Sequence, residues 1–173
     1  MKASEHSALE TLRDGRRLEI RALKPGDRAG LAAAAGRSSS ESLRRRFFAP
    51  KHAFSEKEMA FYSEVDFERH VALAALVEES GRALLVGAAR YIVAQPGRAE
   101  VALAVEDAQQ GLGIGPALLR HLAKIARGAG LVEFTAEVLP DNAPMLKVFE
   151  RSGLVLTKKR SHGVVHVVLR LPA

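Results

Sequence analysis

The chain has no cysteine and no tryptophan among its 173 residues, and only 5% of them are aromatic. Without cysteine, thiolate nucleophiles, cysteine-ligated zinc and disulfide cross-links are all excluded, so stability must come from a packed core. A chain of this length buries roughly two thirds of the surface it exposes when unfolded, which suffices for one domain. With two Tyr and seven Phe there is little aromatic platform on which bases could stack, and nucleic acid is not an expected partner despite the net charge of +6. No apolar run approaches the roughly 20 residues of a membrane span, and residues 1–14 have mixed charge and no apolar signal core. The expectation is a cytoplasmic chain without a membrane partner. Internal repeats and low-complexity linkers are also lacking. Residues 1–15 are polar with no sustained period, so they read as a flexible tail ahead of a single domain over 16–173.

The excess of positive charge favours anionic partners, either a small phosphorylated ligand or an acidic protein face. One stretch concentrates the chemistry that such a ligand needs. In Val105-Glu-Asp-Ala-Gln-Gln-Gly-Leu-Gly-Ile-Gly-Pro-Ala-Leu-Leu119 an apolar run stops, Gly111, Gly113 and Gly115 alternate, and an amphipathic segment begins. That reads as strand, loop and helix. Glycine permits close backbone approach and unusual torsions, and the first helical turn offers free N–H groups with a partial positive charge. Together these can hold a pyrophosphate. A Walker A loop is excluded because Pro116 and Ala117 follow Gly115, and the dinucleotide fingerprint fails because its third glycine would fall on Pro116.

Arg17–Ala22 alternates apolar and charged residues and predicts a first strand. Asp27 is placed to cap a helix ending at Gly36, Ser38–Glu41 has capping-box spacing ahead of a helix over Ser42–Phe48, and Ser55–Glu58 repeats that spacing before Met59–Tyr62. Val71–Glu78, Ala83–Ala94 and Ala99–Val105 are apolar runs separated by Gly-containing turns, which predicts a three-stranded meander. Ile114, Leu118, Leu122 and Ile125 form one stripe of the helix after the loop. Leu131–Leu139 then follows as a strand parallel to Ala99–Val105. A helix capped by Asp141 or Asn142 runs to Arg151, and Leu154–Lys159 and Val164–Leu171 close as a hairpin.

The segment Gln110-Gly111-Leu112-Gly113-Ile114-Gly115 fits Gln/Arg-x-x-Gly-x-Gly/Ala and resembles the acyl-CoA pyrophosphate loop of the GNAT superfamily of N-acetyltransferases. The predicted order of elements is similar to that of the superfamily over nearly the whole chain. The resemblance implies an α/β (α+β) fold with a central mixed, mostly antiparallel sheet of about seven strands flanked by helices. It also implies acetyl-CoA as co-substrate, in a cleft between Ala99–Val105 and Leu131–Leu139. Backbone groups of Leu103, Ala104 and Val105 would meet the pantetheine arm, and N–H groups from Gly111 to Gly115 the pyrophosphate. Asn142 matches a superfamily Asn that faces the coenzyme arm, although a helix cap is a sufficient role for it. Phe149 stands where many members carry a Tyr that protonates the leaving thiolate.

Acetyl transfer needs an uncharged amine, and a lysine amine near pKa 10.4 is almost wholly protonated at neutral pH, so a general base helps. Period-two alternation puts Glu100 on one face with the small residues Ala102 and Ala104, which makes it the first candidate; the competing reading is a solvated edge-strand glutamate. Asp66, Glu68 and His70 rank below it, and Glu106 and Asp107 read as residues that solvate the loop. His121, His162 and His166 are scattered and suggest no metal site. Ser40–Phe48, Val65–Leu73, Ala99–Val105 and Leu139–Met145 together look like the catalytic domain of bacterial Pat-type protein lysine acetyltransferases. In that family the glutamate of the strand before the loop acts as base and the Tyr is commonly absent. The acceptor implied is a protein lysine, slightly preferred, or a small amine. The alternative is a non-catalytic acyl-CoA-binding sensor or partner-binding module on the same fold. Pairing through the last strands leaves a homodimer open.

Overall fold

The computed structural model describes residues 2–39, 41, 44, 46 and 55–172. Its first hairpin joins β1 (Ser7–Thr11) to β2 (Arg17–Ala22), where the sequence predicts a flexible tail over residues 1–15. The difference arises because the strand's pattern is inverted. Leu9 faces solvent at 65% exposure, whereas Glu10 turns inward to pair with Arg120 and His121.

Helix α1 (Arg28–Gly36) starts without the predicted cap, because both carboxylate oxygens of Asp27 are taken by the Arg21 guanidinium at 2.8 Å. Burial alone would raise the Asp27 carboxyl, but Arg21 and the Lys24 N–H hold it below the usual range. This turn is tied to β2 rather than to its own helix. The predicted helix Ser42–Phe48 lies mostly outside the described residues. Helix α2 (Glu56–Ser63) begins as its sequence requires, with Ser55 and Glu58 exchanging the two hydrogen bonds of a capping box.

The predicted meander is β3 (His70–Glu79), β4 (Arg82–Gln95) and β5 (Arg98–Val105). The tight turn between β3 and β4 sets Ser80 and Gly81 at φ 52° and 77°, the twist-compatible geometry of a two-residue hairpin loop. Next come α3 (Ile114–Gly128), β6 (Glu133–Val138), α4 (Ala143–Glu150), β7 (Val155–Ser161) and β8 (Val164–Arg170). The eight strands make one open sheet in the order β1-β2-β3-β4-β5-β6-β8-β7, with β5 and β6 its parallel pair. The sheet is mixed and mostly antiparallel, and β1 is the strand beyond the seven expected.

The two faces of the sheet differ in the size of their side chains. Val71, Leu73, Ala89, Tyr91, Val101 and Leu103 pack with Leu118, Leu119 and Leu122 of α3 into a closed core. On the opposite face Ala72 and Ala74 meet Leu23 and Leu85, with Leu31 and Ala34 of α1 against them. Ala88, Ala102 and Ala104 continue that second face by register, and all three line a cavity rather than packing into this cluster. Among the described residues no helix is long and apolar enough to cross a membrane.

Candidate active site

The parallel pairing of β5 with β6 lasts only from Arg98↔Glu133 to Glu100↔Thr135. An ion pair of 2.5 Å between Arg98 and Glu133 fixes the closed end, and beyond Glu100 the two strands diverge. The Glu106 N–H donates to Val86 of β4, and the Ala104 carbonyl lies against Gly87 of β4, 3.0 Å from where a Cβ would sit. Alternation therefore turns the backbone of Leu103 and Val105 toward the gap and that of Ala104 away from it. The gap opens into a cavity of about 960 Å³ lined by Glu100, Leu103, Ala104, Val105, Asn142 and Phe149 among others.

The glycine loop enters the same cavity through Gln110, Gly111, Gly113, Ile114 and Gly115, while Leu112 instead packs against the core. Gly111 and Gly113 adopt φ of 81° and 97°, which disfavours any other residue, and nothing lies within 4 Å of a Cβ added at either. The N–H groups of Gly111, Leu112 and Gly113 bond to no backbone or side-chain acceptor among the described residues. Gln110 closes the loop by donating from Nε2 to the Val105 carbonyl at 3.1 Å. Gly115 serves packing, since a Cβ there would come within 3.1 Å of Val148 on α4. Pro116 lacks an N–H, a donor that a first helical turn leaves free in any case. Unpartnered N–H groups ahead of a helix can hold an anion, and their chemistry fits a pyrophosphate.

Arg13 was not legible as a site residue. It sits in the β1–β2 turn, reaches the Gly111 carbonyl at 3.4 Å and lines the cavity, and its neighbour Arg16 donates to Gln109 at 2.6 Å. The Asp14-Gly15 dipeptide, with Gly15 at φ 89°, is the hairpin signal that would have placed both arginines beside the loop.

Glu100 is exposed, lines the cavity, and has no hydrogen-bond or ion-pair partner among the described residues. It is not an edge-strand residue, because Ile92 of β4 and Thr135 of β6 flank it. Asn142 accepts from the Met145 N–H at 3.2 Å through Oδ1, so the cap is made, and its side-chain nitrogen meets no acceptor among the described residues. Phe149 is a core residue at 2% exposure whose ring also borders the cavity.

Glu106 does not solvate the loop: it is 8% exposed, accepts from Arg37 at 2.9 Å, and its Oε2 has no partner. Pairing with β4 continues past Val105, the Glu106 N–H donating to the Val86 carbonyl, so alternation puts Glu106 on the face of Ala102 and Ala104, where Arg37 at the end of α1 meets it. His70 is no base beside Glu100 either. Burial and the neighbouring Arg90 guanidinium push its imidazole down to about 4, and its Nε2 accepts from Arg90 at 3.0 Å. Asp66 caps the start of β3, its Oδ1 accepting N–H groups of Glu68, Arg69 and His70.

An open sheet split between β5 and β6, with a glycine cradle at the mouth of the split, defines an acyl-CoA N-acyltransferase type of fold. The profile of the Acetyltransferase (GNAT) family matches residues 39–154, and the chain belongs to that family. It is 33% identical over 123 residues to the acetyltransferase PA5475 of Pseudomonas aeruginosa, covering 70% of this chain and 66% of that protein. Over 168 residues it is 32% identical to the acetyltransferase Pat of Mycolicibacterium smegmatis, covering 93% of this chain and 48% of that one. The chain thus spans just under two thirds and about half the length of these curated relatives. Among solved structures it is similar to the GNAT domain of S. lividans PAT, at a TM-score of 0.86 and 37% identity, over 95% of this chain and 97% of that domain.

Proposed function

We propose that this chain moves an acetyl group from acetyl-CoA to a primary amine, with a protein lysine preferred over a small amine. The observation that carries the reading is that one cavity joins an anion cradle, Gly111 to Gly115, to an unpaired carboxylate, Glu100, along the split of β5 from β6. Acetyl-CoA supplies the thioester carbonyl that the amine attacks. Gly111 to Gly115 and Arg13 would hold its pyrophosphate, Leu103 and Val105 its pantetheine arm, and Asn142 would meet that arm with its free amide nitrogen.

Glu100 acts as general base and takes the proton that the amine must lose, since an ammonium has no lone pair. Arg46 and Arg90, which line the same cavity, disfavour a charged ammonium beside them and so raise the fraction of free amine. Phe149 offers no proton to the departing sulfur, which a thiolate of moderate basicity tolerates. The preference for lysine rests on the resemblance to Pat-type acetyltransferases. A second reading, an acyl-CoA sensor without turnover, is favoured only by Phe149.

Thermal unfolding with acetyl-CoA, CoA, ATP and NAD tests the cradle. A ligand at about 100 times its dissociation constant adds about 2.7 kcal/mol, a shift of roughly 5–10 °C for a chain of this size. A shift with acetyl-CoA and CoA but not NAD is the expected result, and no shift with either overturns both readings. Release of CoA thiol on addition of amines then separates transferase from sensor. The protein contributes no thiol of its own, because it has no cysteine.

A further inference from the structure

Arg90 stands in the middle of β4 at 5% exposure and lines the cavity. One guanidinium nitrogen, Nη1, donates to the Tyr62 carbonyl at 3.0 Å and to His70 Nε2 at 3.0 Å. The guanidinium carbon lies 4.9 Å from the Tyr62 ring centroid. These partners bring no full negative charge. Arginine cannot accept, so His70 must do so from a neutral ring, and a carbonyl and a ring face offer only partial charges. Among the described residues no carboxylate lies within ion-pair distance of Arg90, and its Nε and Nη2 meet no acceptor. The guanidinium as a whole is withdrawn from solvent, but Nε and Nη2 are not sealed off, so the three donors they carry open on the cavity and are available to an anion there.

Its position says where that anion would lie. Arg90 is opposite Ala102 in the β4–β5 register, and Glu100 is opposite Ile92. Arg90 and Glu100 are therefore diagonal neighbours on one face, with Cα atoms about 7–8 Å apart. Ala88, Ala102 and Ala104 leave the floor between and beside them low. Arg46 lines the same cavity, its guanidinium carbon 6.0 Å from the Tyr62 ring, and adds positive charge there. Glu100 and Glu137 line the same cavity, so the positive charge is local to the Arg90 end, and an acceptor with its own carboxylate is oriented with that group toward Arg90 and its amine toward Glu100. The planar fork of a guanidinium suits a carboxylate in particular.

We propose that Arg90 binds a carboxylate of the acceptor, so that this chain prefers amines bearing a carboxylate a few ångströms from the nitrogen, with the amine at Glu100 and the carboxylate at Arg90. The inference rests on the transferase reading above and specifies its substrate class. Two sources carry this chemistry: a free amino acid, and a lysine with Asp or Glu beside it in a protein segment.

The test is CoA release on a panel of glutamate and methionine, their amides, and lysine peptides flanked by Glu or by Gln, for the parent protein, Arg90→Gln and Arg90→Lys. The carboxylate member of each pair should be favoured tenfold or more in kcat/KM, and which pairs respond identifies the source. Arg90→Gln should bring that ratio close to one, mainly through KM, and Arg90→Lys should keep part of it. The acetyl-CoA thermal shift, measured alongside, reports folding and the coenzyme half of the site. Should no amine turn over, N-acetylglutamate and its diamide are titrated onto the protein saturated with CoA. Binding of the acid form, lost in Arg90→Gln, then supports the proposal, and equal or absent binding of both overturns it. It is also overturned if carboxylate and amide acceptors react alike, if Arg90→Gln slows every acceptor equally, or if Arg90→Gln abolishes use of succinyl-CoA while leaving the acceptor preference intact. A missing acetyl-CoA shift would instead refute the transferase reading.

Discussion

Replacing Glu100 by Gln removes a base while keeping the size and shape of the side chain. Glu100 has no hydrogen-bond or ion-pair partner among the described residues and is exposed, so nothing in the fold depends on its charge. Stability should change by no more than about 0.5 kcal/mol. The acetyl-CoA thermal shift should also persist, because the cradle begins ten residues further along, at Gln110, and is held by other contacts. Turnover is another matter: general base catalysis is worth about 10²–10⁴-fold, or roughly 3–5 kcal/mol in the barrier. The assay is CoA thiol release at saturating acetyl-CoA. Glu106→Gln is the necessary control, since Glu106 is the other carboxylate on this face of β5. It should cost about 1–3 kcal/mol of stability by weakening the pair with Arg37, with the smaller loss of rate. Turnover of Glu100→Gln within threefold of the parent would refute the assignment, and collapse in Glu106→Gln alone would move the base to Glu106.

Arg13→Ala should weaken acetyl-CoA binding about two- to fivefold, the worth of an exposed charge at roughly 0.5–1 kcal/mol, and calorimetry at 1 M salt should show the difference shrink. Burial and Arg90 hold the His70 imidazole at about 4, against an ordinary 6.5, so the unfolded chain takes up this proton first. His70 thus adds stability fully above pH 6.5 and loses it as the pH falls toward 4, by about 1–3 kcal/mol after allowing for solvent near the ring; denaturant melts of His70→Gln should lack that slope. Asn142→Ala removes the α4 cap and should cost about 1 kcal/mol. If acetyl-CoA affinity falls as well, Asn142 meets the coenzyme arm, and unchanged affinity in the same titration leaves it a cap alone.

Most of the fold was legible because its signals are local. The meander announced itself through apolar runs broken at Ser80-Gly81 and Pro96-Gly97, and α3 through Ile114, Leu118 and Leu122, all buried as the stripe requires. What escaped depends on contacts distant in sequence. β1 hides its pattern because Glu10 points inward, a choice that makes sense only once Arg120 and His121 stand across from it. Asp27 has the sequence of a cap but is claimed by Arg21. Among the residues that line the cavity, the glycine loop and Glu100 could be singled out from spacing and alternation. Arg13 and Arg90 could not, because the first depends on a hairpin missed in the sequence and the second is one arginine inside an apolar run. Nothing local distinguishes a cavity-lining Arg90 from a solvated one.

The site exists because β5 is asked to do three things at once. Its odd-numbered residues, Ala99, Val101 and Leu103, face α3 and are buried in the core, which holds the strand rigid. Its even-numbered residues, Glu100, Ala102 and Ala104, face the other way, where two alanines leave room between two glutamates, Glu100 and Glu106. Its edge, freed from β6 after Glu100, leaves backbone groups unpaired that a sheet would normally satisfy. A strand with an open edge is a place for another extended chain to pair, and a pantetheine arm of alternating amides can fill that role. The edge is short, and its far end at Val105 lies beside Gly115, where α3 meets Val148 of α4. Rigidity on one face, space on the other and unsatisfied donors along the edge are therefore one arrangement. A larger residue at Ala102 or Ala104 would fill the space without disturbing either the core or the edge.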